Sequence, residues 1–105
     1  MTMLFHVTMT HTEENCPAYD RDNTARFIAE METLETRAGE LGVQVHSILW
    51  GAPEHVAYAL VEADNLGAIA RFAFMFPFRQ DFKVTPVQHL QAVVATAQAI
   101  AAQAG

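Results

Sequence analysis

Apolar and polar residues alternate over residues 3–11, Met-Leu-Phe-His-Val-Thr-Met-Thr-His, and this period of two predicts a first strand. The period then lengthens. Between residues 20 and 41, Phe27, Met31, Leu34, Ala38 and Leu41 recur at steps of four, three, four and three, which is one apolar helix face. Gly42 follows as the stop. Strand patterns return over residues 43–50 and 55–63, separated by the turn Gly51-Ala52-Pro53-Glu54. Asp64 or Asn65 can cap a short helix over residues 66–75, which Pro77 helps to end. Residues 82–87 form a short fourth strand. Residues 88–103 form a last helix with Leu90, Val93, Val94, Ala97 and Ile100 along one side.

The order β-α-β-β-α-β plus a terminal helix predicts an α+β fold of the ferredoxin-like type. Right-handed crossovers place the strands in the spatial order 4-1-3-2, with all neighbours antiparallel and both main helices on one face. With no linker, repeat or low-complexity stretch beyond the alanine-rich end, residues 1–105 are expected to form one domain. Residue parity then divides the sheet. Odd positions (Phe5, Val7, Met9; Val43, Val45, Leu49; Ala57, Ala59, Val61) are apolar and often small, as expected beneath helices. Even positions mix His6, Thr8, His46 and Glu62 with Ile48, Trp50, Tyr58 and Leu60. Such a face is too apolar to lie bare in water, so a second subunit is expected to cover it, giving a homodimer or higher homo-oligomer.

Composition narrows the partners. Half of the chain is apolar (51%), enough to fold around a core, and the net charge is -6 with only six basic residues. An acidic chain of this kind is poorly suited to nucleic acid or to anionic lipid. No apolar run approaches the ~18 residues of a membrane span. The N-terminus lacks the features of a signal peptide, and the single cysteine has no intrachain partner. These features predict a soluble cytoplasmic protein with a reduced thiol.

The residues richest in chemistry are His11-Thr12-Glu13-Glu14-Asn15-Cys16-Pro17, where the first strand ends. In the 4-1-3-2 order, strand three is the antiparallel neighbour of strand one and begins at His55. His11 and His55 therefore meet at the same end of the sheet, and Cys16 can fold back between them. Two imidazoles and one thiolate suit Zn, Cu, Ni or Fe, and an open fourth position would permit chemistry. Glu13 or Glu14 could add an oxygen ligand or a base. A preformed site requires sulfur-to-nitrogen separations within ~4 Å, because Zn–S and Zn–N bonds are ~2.3 and ~2.0 Å. The same three residues could instead make Cys16 a histidine-activated nucleophile. The plain structural alternative is an inert, buried Cys16 beside surface histidines.

A second set lies on the even face. His6 and His46, on strands separated only by strand three, have Gln44 and Glu62 at one end and Tyr58 and Trp50 at the other. They could line a cavity in which histidines exchange protons with a substrate held by aromatic walls. The alternative is a hydrated subunit interface in which these groups are hydrogen-bonded across the two-fold axis. Phe72, Phe74, Met75, Phe76 and Phe78 are expected mainly in the core or a subunit contact. The last helix is expected on its own sheet edge or on a partner. The acidic residues around Arg37 are expected on a solvated helix face.

On these motifs the chain resembles the dimeric α/β-barrel superfamily. Within it, the chain is similar to small stand-alone bacterial domains of unassigned function that carry a His-Thr-x-x-x-Cys-Pro motif, here His11 to Pro17. A histidine opening strand three (His55) and the strand Val84-Thr85-Pro86-Val87 belong to the same resemblance. The resemblance implies two sheets packed face to face around a cavity. It does not select a reaction, since the superfamily spans monooxygenases, isomerases, cyclases and plain binders. Three functions follow as expectations. The leading one is a small-ligand- or metal-binding protein centred on His11, Cys16 and His55, with a catalytic role open to it. The second is a cofactor-free monooxygenase, isomerase or cyclase using His6, His46 and Tyr58 between the sheets. The third is a non-catalytic oligomeric scaffold.

Overall fold

The computed structural model describes residues 2–104. Strand β1 is Met3–Thr10, and two single 3-10 turns, Glu13–Asn15 and Pro17–Tyr19, lead from it into helix α1 (Arg21–Glu32) and helix α2 (Leu34–Glu40). Strand β2 (Gln44–Gly51), a 3-10 turn (Ala52–Glu54) and strand β3 (Val56–Ala63) follow. Helix α3 (Leu66–Ala73), strand β4 (Asp81–Val87) and helix α4 (Leu90–Ala104) complete the chain. The sheet order is β2-β3-β1-β4, and every pairing is antiparallel. This is the ferredoxin-like arrangement that the periodicity predicts.

Local chemistry sets the element ends. The Asp20 carboxylate accepts from the Asp22 amide at 3.0 Å and starts α1, and the Asn65 side chain accepts from the Ala68 amide at 2.9 Å and starts α3. Gly42 ends α2 with φ 83°, a conformation that glycine adopts without penalty. The helix expected to run unbroken from 20 to 41 divides at Thr33, where ψ is 9°. Arg37 braces the break. Its guanidinium donates to the Glu30 carbonyl (2.6 Å) and to Thr33 Oγ1 (2.9 Å) and meets the Glu30 carboxylate at 3.0 Å.

The core lies between the helices and one face of the sheet. Phe5, Val7, Met9, Ala57, Ala59 and Val61 point into it, as their odd parity predicts. Leu34, Ala38, Ile69, Phe72 and Phe76 cover them from the helices and the segment after α3. Of the aromatic run after residue 71, Phe74 instead faces solvent.

Strand β2 departs from its parity. Val45 pairs with Val61, but Ser47 rather than His46 pairs with Leu60, so His46 is an inserted bulge residue. Beyond the bulge every side chain changes face. Ile48 packs on the core, Trp50 lies against Phe27 of α1, and Leu49, placed by parity among core residues, is 66% exposed. The assignment of Ile48 and Trp50 to the open face is therefore corrected.

Helix α4 does not return to its own sheet. None of its described residues is buried, Leu90 and Ile100 are 73% and 61% exposed, and the molecule extends 62 × 29 × 18 Å. The open sheet face and the α4 stripe are thus both uncovered in the single chain.

Candidate metal centre

The β1–β3 register assembles the candidate centre. Thr10 stands opposite Val56, so the next step of the ladder brings His11 opposite His55, and the His11 amide donates to the His55 carbonyl at 3.1 Å. The two imidazoles meet above that bond. His55 Nδ1 and His11 Nε2 are 3.2 Å apart, one donating to the other, and the rings cross nearly at right angles (79°). His55 precedes β3 rather than opening it. It closes the 3-10 turn, donates its amide to the Ala52 carbonyl, and adopts φ 56°, ψ 42°. Among the described residues it is the only non-glycine with positive φ. Such a backbone costs an L-residue ~1–2 kcal/mol and persists where the surroundings over-determine it.

Cys16 arrives through the two 3-10 turns. Its amide donates to Glu13 at 3.1 Å, its carbonyl accepts from Tyr19 at 3.2 Å, and Pro17 behind it is buried. Thr24 of α1 donates its hydroxyl to the Pro17 carbonyl, tying this loop to the helix. One ligand atom each from His11, Cys16 and His55 lies within 4.8 Å of the others. Ligands around a tetrahedral zinc stand ~3.5 Å apart, given bonds of ~2.0–2.3 Å. The histidine pair already has that spacing; the 4.8 Å bound is wider than the ~4 Å required of a preformed site, so the sulfur has to close by up to ~1.3 Å before all three can hold one ion. Glu13 and Glu14 are exposed in the first 3-10 turn and do not join the group.

The surroundings favour a neutral, ligand-ready His11. Burial pushes the His11 pKa below the ordinary 6.5, and the neighbouring His55 charge pushes the same way. Phe78 packs edge-on to His11 at 5.1 Å. His11 Nδ1 is buried without a hydrogen-bond partner, and so are both polar atoms of the Gln80 side chain. His11 and Gln80 line one small pocket of about 220 Å³. Metal-bound histidines are usually oriented by a partner on their second nitrogen; Gln80 lines the same pocket, though its side chain is not hydrogen-bonded to His11. Nothing in the sequence pattern singled out Gln80, since it lies in the irregular segment between α3 and β4.

On its other side the group opens into an apolar cleft of about 430 Å³, with walls that include Tyr19, Phe27, Ile28 and Trp50. Trp50 reaches it because of the β2 bulge, which alternation could not foresee. Phe27 meets Trp50 edge-to-face at 5.5 Å and Phe78 at 5.7 Å, so one aromatic cluster runs from the cleft to beneath His11.

The second set divides into two pairs. His6 lies beside Tyr58 with ring centroids 5.9 Å apart, while His46 Nε2 meets the Glu62 carboxylate at 2.9 Å. Glu62 also accepts from the Thr2 hydroxyl, and these two hydrogen bonds, Thr2's first, hold its pKa below the ordinary 4.5. Trp50, expected among these residues, is on the opposite face.

Fold and site together define a ferredoxin-like α+β protein with a His–Cys–His group at one end of its sheet. The chain belongs to the DUF3303 family, a domain of unknown function, whose model matches residues 3–101. No curated protein matches it. Among solved structures it is similar to a dimeric ferredoxin-like protein from an uncultured marine organism, at 17% identity and TM-score 0.44, covering 85% of this chain and 96% of that one. It is also similar to part of an amidase of the hydantoinase/carbamoylase family from Burkholderia phymatum, at 12% identity and TM-score 0.39. That match covers 84% of this chain and 28% of the amidase. No helix among the described residues is long and apolar enough to cross a membrane.

Proposed function

We propose that this protein binds a transition metal through His11, Cys16 and His55 and keeps a further coordination position open toward the apolar cleft. The observation that carries the reading is the convergence of three ligand atoms, from three separate segments, within 4.8 Å. The unpartnered, buried Nδ1 of His11 and the strained backbone of His55 support it. Two imidazoles and one thiolate suit Zn, Cu, Ni or Fe, and an open position would let a bound water or small molecule be polarised. A cytoplasmic location would keep Cys16 reduced and able to ligate.

The test is metal analysis of protein purified without an affinity tag, followed by cobalt titration. Stoichiometric uptake with a thiolate-to-metal charge-transfer band is expected, and both should be lost in Cys16→Ser. Absence of stoichiometric metal, together with an affinity unchanged in Cys16→Ser, would sink the proposal.

The working form is proposed to be a homodimer. The open sheet face presents Leu49, Tyr58 and Leu60, and α4 presents an unburied apolar stripe, both of which a second copy would cover. Ending the chain after His89 should shift the sedimentation mass from dimer toward monomer. A cofactor-free enzyme working between the sheets is the second reading, and it rests on the His6–Tyr58 and His46–Glu62 pairs facing that covered space. An activity lost in His46→Ala and kept in Cys16→Ala would select it.

A further inference from the structure

The cleft beside the metal group has walls of one chemical kind. Phe27, Ile28, Trp50, Pro17 and Ala52 supply its apolar surface, and no Asp, Glu, Lys or Arg lines it. Thr24, one of its few polar residues, has its hydroxyl committed to the carbonyls of Pro17 and Asp20. Beside the acceptor lone pairs of the Thr24 oxygen, the polar side-chain atoms left to a ligand are those of His11, Cys16, His55 and the Tyr19 hydroxyl. A volume of about 430 Å³ lies within the range of small-molecule sites, roughly 300–1,000 Å³.

Charge selects further. A divalent metal held by two neutral imidazoles and one thiolate retains one positive charge. In an apolar cleft that charge is best met by a ligand that is neutral along its body and becomes a monoanion at a single atom. A cationic ligand is repelled by the centre. A ligand carrying a second, remote charge would have to bury it against Phe27, Ile28 or Trp50 without a partner. Trp50 and Phe27, set edge-to-face at 84°, offer a ring face and a ring edge to an aromatic guest.

We infer that the cleft of Tyr19, Phe27, Ile28 and Trp50 binds a small phenol, whose single hydroxyl oxygen is directed at His11, Cys16 and His55. This rests on the metal reading for the oxygen's partner but not for the ring's site. A metal held by His11, Cys16 and His55 would act as a Lewis acid that favours the deprotonated oxygen, with the hydroxyl proton released to solvent. Without metal the hydroxyl hydrogen-bonds an imidazole nitrogen.

Trp50 is the only tryptophan of the chain, so its fluorescence reports the cleft directly. p-Cresol is titrated into metal-free and cobalt-loaded protein, with 4-hydroxybenzoate as the ring bearing a remote charge. A saturable change in Trp50 emission with p-cresol is expected in both forms, at least tenfold tighter with cobalt. 4-Hydroxybenzoate should bind at least tenfold more weakly. Ile28→Glu, an exposed helix position at the wall, should weaken p-cresol tenfold or more while the cobalt charge-transfer band persists. No saturable change with p-cresol in either form, or equal binding of 4-hydroxybenzoate, overturns the inference. If cobalt does not bind but metal-free protein takes p-cresol with this selectivity, the cleft assignment stands and the metal reading falls. If cobalt binds and p-cresol does not, the reverse holds.

Discussion

The backbone of His55 permits a test that separates scaffold from site. Replacing His55 by Ala or by Gly removes the same imidazole and the same 3.2 Å bond to His11, a loss of ~0.5–1.5 kcal/mol in either variant. The two variants then differ only in main-chain preference at φ 56°. Alanine keeps a left-handed penalty of ~1–2 kcal/mol, which glycine does not pay. Glycine gives back ~0.5–1 kcal/mol through the greater freedom of its unfolded chain. His55→Gly should therefore be more stable than His55→Ala by ~0.5–1 kcal/mol. For a domain of this size that is a difference of roughly 2–4 °C in melting temperature.

The assay is urea unfolding of both variants after chelation, so that bound metal does not contribute. With a slope of ~1.5 kcal/mol/M, the midpoints should differ by ~0.5 M in favour of glycine. On the proposed metal reading, affinity should fall alike in both, because each lacks the His55 imidazole. An alanine variant as stable as the glycine variant, or more so, would show that the turn into β3 is unstrained. The argument that His55 is held in place against its backbone preference would then fail.

Three further outcomes follow from the geometry. Gln80→Leu should lower metal affinity roughly 10–100-fold in a competition assay with a chromophoric chelator, if Gln80 orients His11 from the small pocket as outer partners of metal-bound histidines do. Ile48→Ala should cost ~1–2 kcal/mol, less than a fully buried isoleucine because the site is half-buried, at any protein concentration, whereas the effect of Leu49→Ala should grow on dilution because Leu49 faces the open side. Glu62 is held below its ordinary pKa of 4.5, so its contribution is present above that pH and lost as pH falls through the lower folded value. The stability advantage of wild type over Glu62→Gln should accordingly be flat at neutral pH and vanish in acid, as followed by urea unfolding across a pH series.

What could be read from the chain was whatever depends on regular geometry. Alternation and crossover handedness define the 4-1-3-2 sheet, and antiparallel register makes His11 and His55 neighbours although 44 residues separate them. Cys16 could be brought near them but not aimed, because the two single 3-10 turns that flank it determine its direction and neither has a periodic signature. The β2 faces were illegible for a specific reason. Ile48, Leu49 and Trp50 are three consecutive apolar residues, so either parity buries a large side chain, and the bulge at His46 decides between them.

The two irregularities of the β2–β3 hairpin act toward one place. Without the bulge, Trp50 would lie on the open sheet face beside Tyr58, and the cleft would lose its largest wall. With an ordinary extended residue in place of left-handed His55, the chain would leave the Ala52–Glu54 turn in another direction, and the imidazole would not be held 3.2 Å from His11. Each departure weakens local regularity, by an unpaired ladder residue or by an unfavourable φ, and neither is required to bury the core, whose main strands β1 and β3 pair without interruption. Regularity has been given up on both sides of one turn, and both departures shape the same His–Cys–His group and its cleft. Two departures at different points of one hairpin that both shape a single group are the pattern expected where a site, rather than the fold, constrains the residues.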